Sequence, residues 1–286
     1  MNIRIMSRDD TLIFLHLPKA GGMTLHFILE QRYPRERIFT FDGTRPHQSV
    51  ERFQKMSEAQ RAEYRLLKGH VVYGVHRAVP RPCTYITLLR DPVERVISQY
   101  YYAKSRPEHH LYARLNQPGM TLYEYAAQFV TPEISNQQTS MLAGIRVSES
   151  QQTPARELVA LAKEHLETHF RVVGLMEEFD TSMLLLQRAF GWSRLFYLRE
   201  NVAREKPAPT QIDVRTRELL AEQNALDAEL YVFARELFER QCRAYGDNLA
   251  RDLAQFQKWN ALYQRVVGPL TQFRKRAGAR LVREQI

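Results

Sequence analysis

The chain has 286 residues, a hydrophobic share of 44% and a formal net charge of +9. That length gives one large domain or two small ones with ample core, and the composition excludes a fibrous, collagen-like or broadly disordered chain. The basic balance favours an anionic partner (a nucleotide, nucleic acid, an acidic glycan or a membrane surface) without choosing among them.

In chain order, the apolar run from Thr11 to Leu17 reads as a buried strand. A glycine turn follows. Leu25, Ile28, Leu29 and the aliphatic stem of Arg32 then share one helical face. Arg37 to Phe41 and Leu66 to Tyr73 are expected as further strands, and Thr84 to Leu89, rich in β-branched residues, as another. A helix starts next, with Asp91 at the N-cap, Pro92 at the first helical position and Glu94 at capping-box spacing. Val93, Val96, Ile97, Tyr100 and Tyr101 form its apolar face. Arg171 to Leu175 reads as one more strand. Helices are expected from Phe179, carrying Met183, Leu186 and Phe190 inward, and over Leu226 to Phe238.

This alternation gives an α/β class: a mainly parallel central sheet flanked by helices, with a helical C-terminal half. The expected division is an α/β domain over 1–245 and a basic helical extension over 246–286. The extension carries Arg265, Arg274, Lys275, Arg276, Arg280 and Arg283. It reads as a solvated charged face, with peripheral membrane contact as the other reading. The two cysteines, Cys83 and Cys242, lie far apart, so neither a disulfide framework nor a metal site is expected, and a reducing compartment fits. No stretch near Met1 to Asp10 resembles a signal peptide, and no run of about 18 apolar residues is present. A cytoplasmic location without a membrane span is the expectation. No helix-turn-helix, zinc or RNA-binding signature points to nucleic acid.

In a parallel sheet, ligands sit at the carboxyl ends of strands. Two such ends stand out. After the first strand, Lys19, Ala20, Gly21, Gly22, Met23 and Thr24 combine a point charge, glycines that admit close backbone approach, a hydroxyl and a helix N-terminus. These suit a phosphate or sulfate group. The order is not that of the nucleoside-triphosphate loop, because Lys19 precedes the glycines and no Ser or Thr follows it directly. After Leu89, Arg90 and Ser98 offer a guanidinium and a hydroxyl to a second phosphate.

With both ends in view, FLHLPKAGGMTL and ITLLRDPVERVISQYYY resemble the two nucleotide motifs of the PAPS-dependent carbohydrate sulfotransferases. PAPS is 3′-phosphoadenosine 5′-phosphosulfate. The likeness runs over roughly Leu12 to Gln241 and favours the heparan sulfate and uronyl 2-O-sulfotransferases and their bacterial relatives. It also includes Gly69-His70-Val71, Asn136 to Gly144 and Val173 to Phe179. Ala20 and Met23 replace threonines of the resembled loop, and Lys68 replaces a histidine of the animal 2-O enzymes.

The resemblance implies a P-loop-like sulfotransferase fold, PAPS as cosubstrate, no metal, and transfer of a sulfuryl group to a hydroxyl of a carbohydrate, possibly acidic. It implies that Lys19 stabilises the departing nucleotide and that the 20–24 backbone with Thr24 holds the 5′-phosphosulfate. Arg90 and Ser98 would bind the 3′-phosphate, and His70 would act as general base. A loop at Asn201 to Lys206 would close over the nucleotide. His16, His76, His109 and His110 are weaker candidates for the base, and His16 could instead support Lys19. A nucleotide kinase or P-loop hydrolase and a non-catalytic nucleotide- or glycan-binding protein stay open as alternatives.

Overall fold

A computed structural model describes residues 10–43, 45–193, 195–198 and 212–283; for Gln151 and residues 270–283 it describes the backbone alone. The strands are β1 (Thr11–Leu15), β2 (Ile38–Phe41), β3 (Leu66–Gly69), β4 (Cys83–Leu89) and β5 (Phe170–Leu175). The helices before β5 are α1 (Gly22–Glu30), α2 (Pro46–Lys55), α3 (Glu58–Ala62), α4 (Pro92–Lys104), α5 (Tyr112–Leu115), α6 (Leu122–Ala127), α7 (Gln137–Ala143) and α8 (Ala155–His169). After it come α9 (Phe179–Phe190), α10 (Val214–Gln223), α11 (Ala225–Tyr245) and α12 (Leu249–Arg283). None of the described helices is long and apolar enough to cross a membrane.

The sheet runs β2-β3-β1-β4-β5 and every neighbouring pair is parallel. The expected α/β class and helical second half are what the fold shows. Strand β1 is buried along its whole length, so it reads as an unbroken apolar run rather than an alternation. The chain leaves β1 toward one edge, through α1 to β2, and leaves β4 toward the other, ending at β5. The gap between the carboxyl ends of β1 and β4 is therefore the switch point of the sheet, where such folds bind ligands.

Strand β3 stops at Gly69, short of the predicted Tyr73. Gly69 has φ +144°, and a Cβ there would lie 2.5 Å from the Phe41 carbonyl oxygen. The Val71 N–H turns back onto the Gly69 carbonyl oxygen at 3.1 Å, which ends the ladder and releases His70 from the sheet. The predicted face of α1 also stops earlier. Arg32 lies beyond the helix, and its guanidinium donates to Ser193 Oγ at 2.9 Å.

Helix α4 starts as its cap predicts. The Asp91 side chain accepts from Glu94 N at 2.9 Å, with Pro92 at the first helical position. Glu94 does not complete a capping box but pairs with Arg217 at 3.1 Å. Val96, Ile97 and Tyr100 are buried, Val93 and Tyr101 partly so. This face does not join the sheet core. It packs with Leu115, Leu122, Tyr125 and Leu220 into a second, smaller core under α5, α6 and α10.

A buried polar network ties the two cores together. Asp227 on α11 accepts from the N–H groups of Gln138 at 3.2 Å and Thr139 at 2.7 Å, capping α7. Asn136 returns the service to α11, accepting from Leu226 N and Asp227 N at 3.0 and 3.1 Å. Arg95, also fully buried, stands 4.0 Å from Asp227 Oδ2 and donates to Gln137 Oε1 at 2.6 Å and to the Glu133 carbonyl oxygen at 2.9 Å. Removing one partner of a buried pair leaves the other charge uncompensated. Asp227→Ala is thus expected to lower unfolding free energy by about 3–5 kcal/mol in a denaturant titration. Loss of the exposed Arg240–Glu167 pair through Glu167→Ala should cost less than about 1 kcal/mol in the same measurement.

Candidate active site

The turn after β1 begins at Leu17 and feeds directly into α1. Lys19 occupies the left-handed region at φ 66°, and Gly21 follows at φ 78°. Gly22 is required by contact: a Cβ there would fall 1.9 Å from the His16 ring. Because α1 starts at Gly22, the N–H groups of its first turn have no intrahelical acceptor and the helix dipole adds positive potential there. Gly21, Gly22, Met23 and Thr24 all border one cleft with Lys19. Ala20 departs from the expectation. Its side chain is buried, and its N–H donates back to the Leu17 carbonyl oxygen at 3.4 Å. It supports the turn and does not line the cleft.

Arg90 ends β4 beside this turn. Its Nη1 donates to the Lys19 carbonyl oxygen at 3.0 Å, which joins the two strand ends. Its own backbone is held at both groups by a single amide: Arg90 N donates to Gln138 Oε1 at 3.0 Å, and Gln138 Nε2 donates to Arg90 O at 2.9 Å. Gln138 is fully buried. Ser98, on α4, borders the same cleft as Arg90.

His70 lies on the other side of β1. Its Nδ1 sits 2.9 Å from the carbonyl oxygen of His16, and a carbonyl oxygen can only accept, so Nδ1 carries the proton. Its Nε2 is then a lone pair. The Nε2–Cδ2 edge of the ring lies against Gly43, and both residues border the cleft. Burial lowers the His70 pKa, which keeps the ring neutral near pH 7. His16 stacks on His70 at 4.2 Å between ring centroids. The same ring lies against Gly22, so it packs between His70 and the start of α1.

The cleft measures about 1080 Å³, ample for a nucleotide with part of a second substrate. Lys19 Nζ rests 3.5 Å above the ring of Tyr102, a cation–π contact that aims the ammonium across the opening. Burial, reinforced by Arg90 and Arg106, pushes the Lys19 pKa down to about 7. His47, His109, His110 and Arg146 add basic or titratable character to the walls, against Glu51 and Glu133.

Of the residues singled out from sequence, Lys19, Gly21, Gly22, Met23, Thr24, His70, Arg90 and Ser98 meet at this one cleft. Ala20 does not, and Asn201 and Lys206 lie outside the described residues. His76 is also elsewhere, with Nδ1 2.9 Å from the Tyr85 hydroxyl. Sequence reasoning missed Gln138 and Tyr102. The signal for Tyr102 was its place in the Tyr100–Tyr102 run, of which Tyr100 alone faces fully inward.

The model of the galactose-3-O-sulfotransferase family matches residues 12–272. A galactosylceramide sulfotransferase of Mus musculus is 26% identical over 194 residues, 66% of this chain and 46% of that protein. A heparan-sulfate 6-O-sulfotransferase 3-B of Danio rerio is 25% identical over 274 residues, 80% of this chain and 64% of that protein. The chain thus spans about half to two thirds of the length of these curated relatives. A crystal structure of a mouse sulfotransferase complexed with PAP aligns with TM-score 0.37 and 14% identity, over 79% of this chain and 68% of that one.

The depressed Lys19 pKa has a measurable consequence. A phosphate-bearing ligand beside Lys19 favours the ammonium and raises its pKa, so binding above pH 7 takes up a proton. Calorimetry with adenosine 3′,5′-bisphosphate at pH 8, in buffers of different ionisation enthalpy, should report uptake of about one proton from this group. Apparent affinity should fall as pH rises above 7, by up to about tenfold per unit. Lys19→Met should remove both effects.

Proposed function

The chain belongs to the galactose-3-O-sulfotransferase family, and from that premise we propose that it transfers a sulfuryl group from 3′-phosphoadenosine 5′-phosphosulfate to a hydroxyl of a carbohydrate. The observation that carries this reading is the fixed tautomer of His70, with Nδ1–H on the His16 carbonyl oxygen and the Nε2 lone pair in the cleft that also holds Lys19. A base for an alcohol and a cation for a departing phosphate are what an in-line sulfuryl transfer requires.

In this reading the phosphosulfate lies against the first turn of α1, with Thr24 and the backbone amides as donors. Arg90 and Ser98 take the 3′-phosphate. The acceptor oxygen attacks sulfur, and the bond from sulfur to the bridging oxygen breaks as the new S–O bond forms. The hydroxyl proton passes to His70 Nε2. The electron pair of the broken bond stays on the 5′-phosphate of the nucleotide, where Lys19 offsets the added charge. Little covalent work falls to the protein, so its contribution is position and preorganised charge.

The pKa of Lys19, about 7 without ligand, fits this role. An ammonium that is poorly solvated before binding interacts strongly with a dianionic leaving group, and the ligand itself restores its proton. The basic walls formed by His47, Arg106, His109, His110 and Arg146 suit an acidic acceptor.

A radiolabelled transfer assay tests the assignment. His70→Ala is expected to lower kcat by about 10²- to 10⁴-fold while leaving nucleotide affinity close to normal. Lys19→Ala should lower both kcat and affinity. Full activity in either purified variant contradicts the role given to that residue.

A further inference from the structure

Behind His70 lies a chain of polar side chains that the transfer mechanism above does not use. Lys68 is almost fully buried on β3, at 3% exposure, and its ammonium donates to Glu30 Oε1 at 2.6 Å. The same Nζ lies 2.8 Å from His26 Nδ1. His26 Nε2 in turn lies 2.9 Å from His16 Nδ1. The chain therefore runs from the end of α1, across β3, back to α1 and on to the end of β1.

Donor and acceptor roles along it follow from one end. An ammonium has protons to give and no lone pair, so His26 Nδ1 must accept. A neutral imidazole that accepts at Nδ1 carries its proton at Nε2, and that N–H donates to His16 Nδ1. His16 then accepts at Nδ1 and carries its own proton at Nε2. Burial lowers the pKa of His16 and pulls that of His26 down to about 3, in keeping with two neutral rings.

The His16 Nε2 edge packs against Gly22 at the first turn of α1, while the ring face stacks on His70. His16 itself borders the cleft. The His16 ring thus stands between His70 and the first turn of α1. In the transfer proposed above the acceptor oxygen lies at His70 Nε2 and the phosphosulfate at that turn, so the sulfuryl group moves between them to the acceptor oxygen.

We propose that the Glu30–Lys68–His26–His16 chain fixes His16 as an Nε2–H donor to a sulfuryl oxygen during transfer, making His16 a catalytic residue and Lys68 and His26 positioning residues. This rests on the function proposed above. Without Lys68, His26 is free to take either tautomer, and so is His16. The wrong tautomer turns a lone pair toward an anionic oxygen. The loop has a single hydroxyl donor, Thr24, so a fixed imidazole N–H adds a neutral donor where charge develops, without adding a fixed charge that would also hold the product nucleotide.

The test separates this role from the cosubstrate reading. His16→Phe keeps a ring to stack on His70 and removes the donor; His16→Gln restores an N–H near the same place. Transfer kinetics and calorimetric binding of adenosine 3′,5′-bisphosphate, which lacks the sulfuryl group, are measured for both. The expected result is a kcat about 10²-fold lower in His16→Phe, bisphosphate affinity unchanged within about twofold, and recovery of most of the lost rate in His16→Gln. Unchanged kcat in His16→Phe, or bisphosphate affinity falling in parallel with kcat, overturns the proposal alone. Failure of the natural chain to bind bisphosphate overturns the cosubstrate reading and the His16 role with it.

Should His16→Phe not fold, Lys68→Met carries the test. Nitrogen-15 spectra of the histidine rings are expected to show one His16 tautomer, protonated at Nε2, in the natural chain and a mixture in Lys68→Met, with a lower kcat. A single unchanged tautomer in that variant, or a His16 protonated at Nδ1 in the natural chain, contradicts the relay.

Discussion

One hydrogen bond joins the working parts of the cleft: Arg90 Nη1 to the carbonyl oxygen of Lys19. It crosses the switch point between β1 and β4 and uses the left-handed conformation of Lys19, which presents that carbonyl toward the neighbouring strand end. With the carbonyl held by Arg90, the Lys19 side chain is left to extend over Tyr102. The arrangement is possible only because the two strands are adjacent and parallel, so that their ends arrive side by side at one edge.

Support for this bond comes from behind, in layers. Gln138 holds Arg90 by both backbone groups, and it lies in the first turn of α7, whose N-terminus is capped by Asp227. Asp227 stands near Arg95 in a site without water access, where neither charge is tolerable alone. On the far side of β1, His16 gives its carbonyl to His70 and its ring to the packing of Gly22. The cleft is thus shaped by buried polar groups whose partners are fixed. Apart from Arg95 Nε, which is buried without a hydrogen-bond partner, the named groups are hydrogen-bonded, and such a network holds the geometry that positioning at a reacting centre requires. The cost is carried in part by Lys19, whose charge is destabilised by burial and by Arg90 and Arg106.

The features legible in sequence are those written locally. β1 and β4 were visible as short apolar or β-branched runs, and α4 as an Asp-Pro cap. The family likeness rests on the same two segments and their neighbours. Strand β3 was overextended because its end depends on Gly69 meeting the Phe41 backbone, a contact across 28 positions of sequence that no local pattern records. The place of Ala20 among the binding residues follows from the resembled motif, which does not record that the Ala20 N–H closes the turn onto Leu17. Gln138, Arg95 and the Glu30–Lys68–His26–His16 chain were not legible: each takes its meaning from a partner brought close only by the fold. Lys68 was visible as a departure from the resembled pattern, and its use became readable only once Glu30 and His26 stood beside it.

The central claim is that the β1 and β4 ends together form a site for a 3′-phosphorylated adenosine nucleotide. The most direct measurement is thermal unfolding with adenosine 3′,5′-bisphosphate, 5′-AMP, ADP and ATP compared at equal concentration. At about 100 times its dissociation constant a ligand adds about 2.7 kcal/mol, which raises the midpoint of a domain of this size by roughly 5–10 °C. The account predicts that shift for the bisphosphate, little for 5′-AMP, and its loss in Arg90→Ala. An equal shift with 5′-AMP, no shift with any of them, or a larger shift with ATP and magnesium would contradict it.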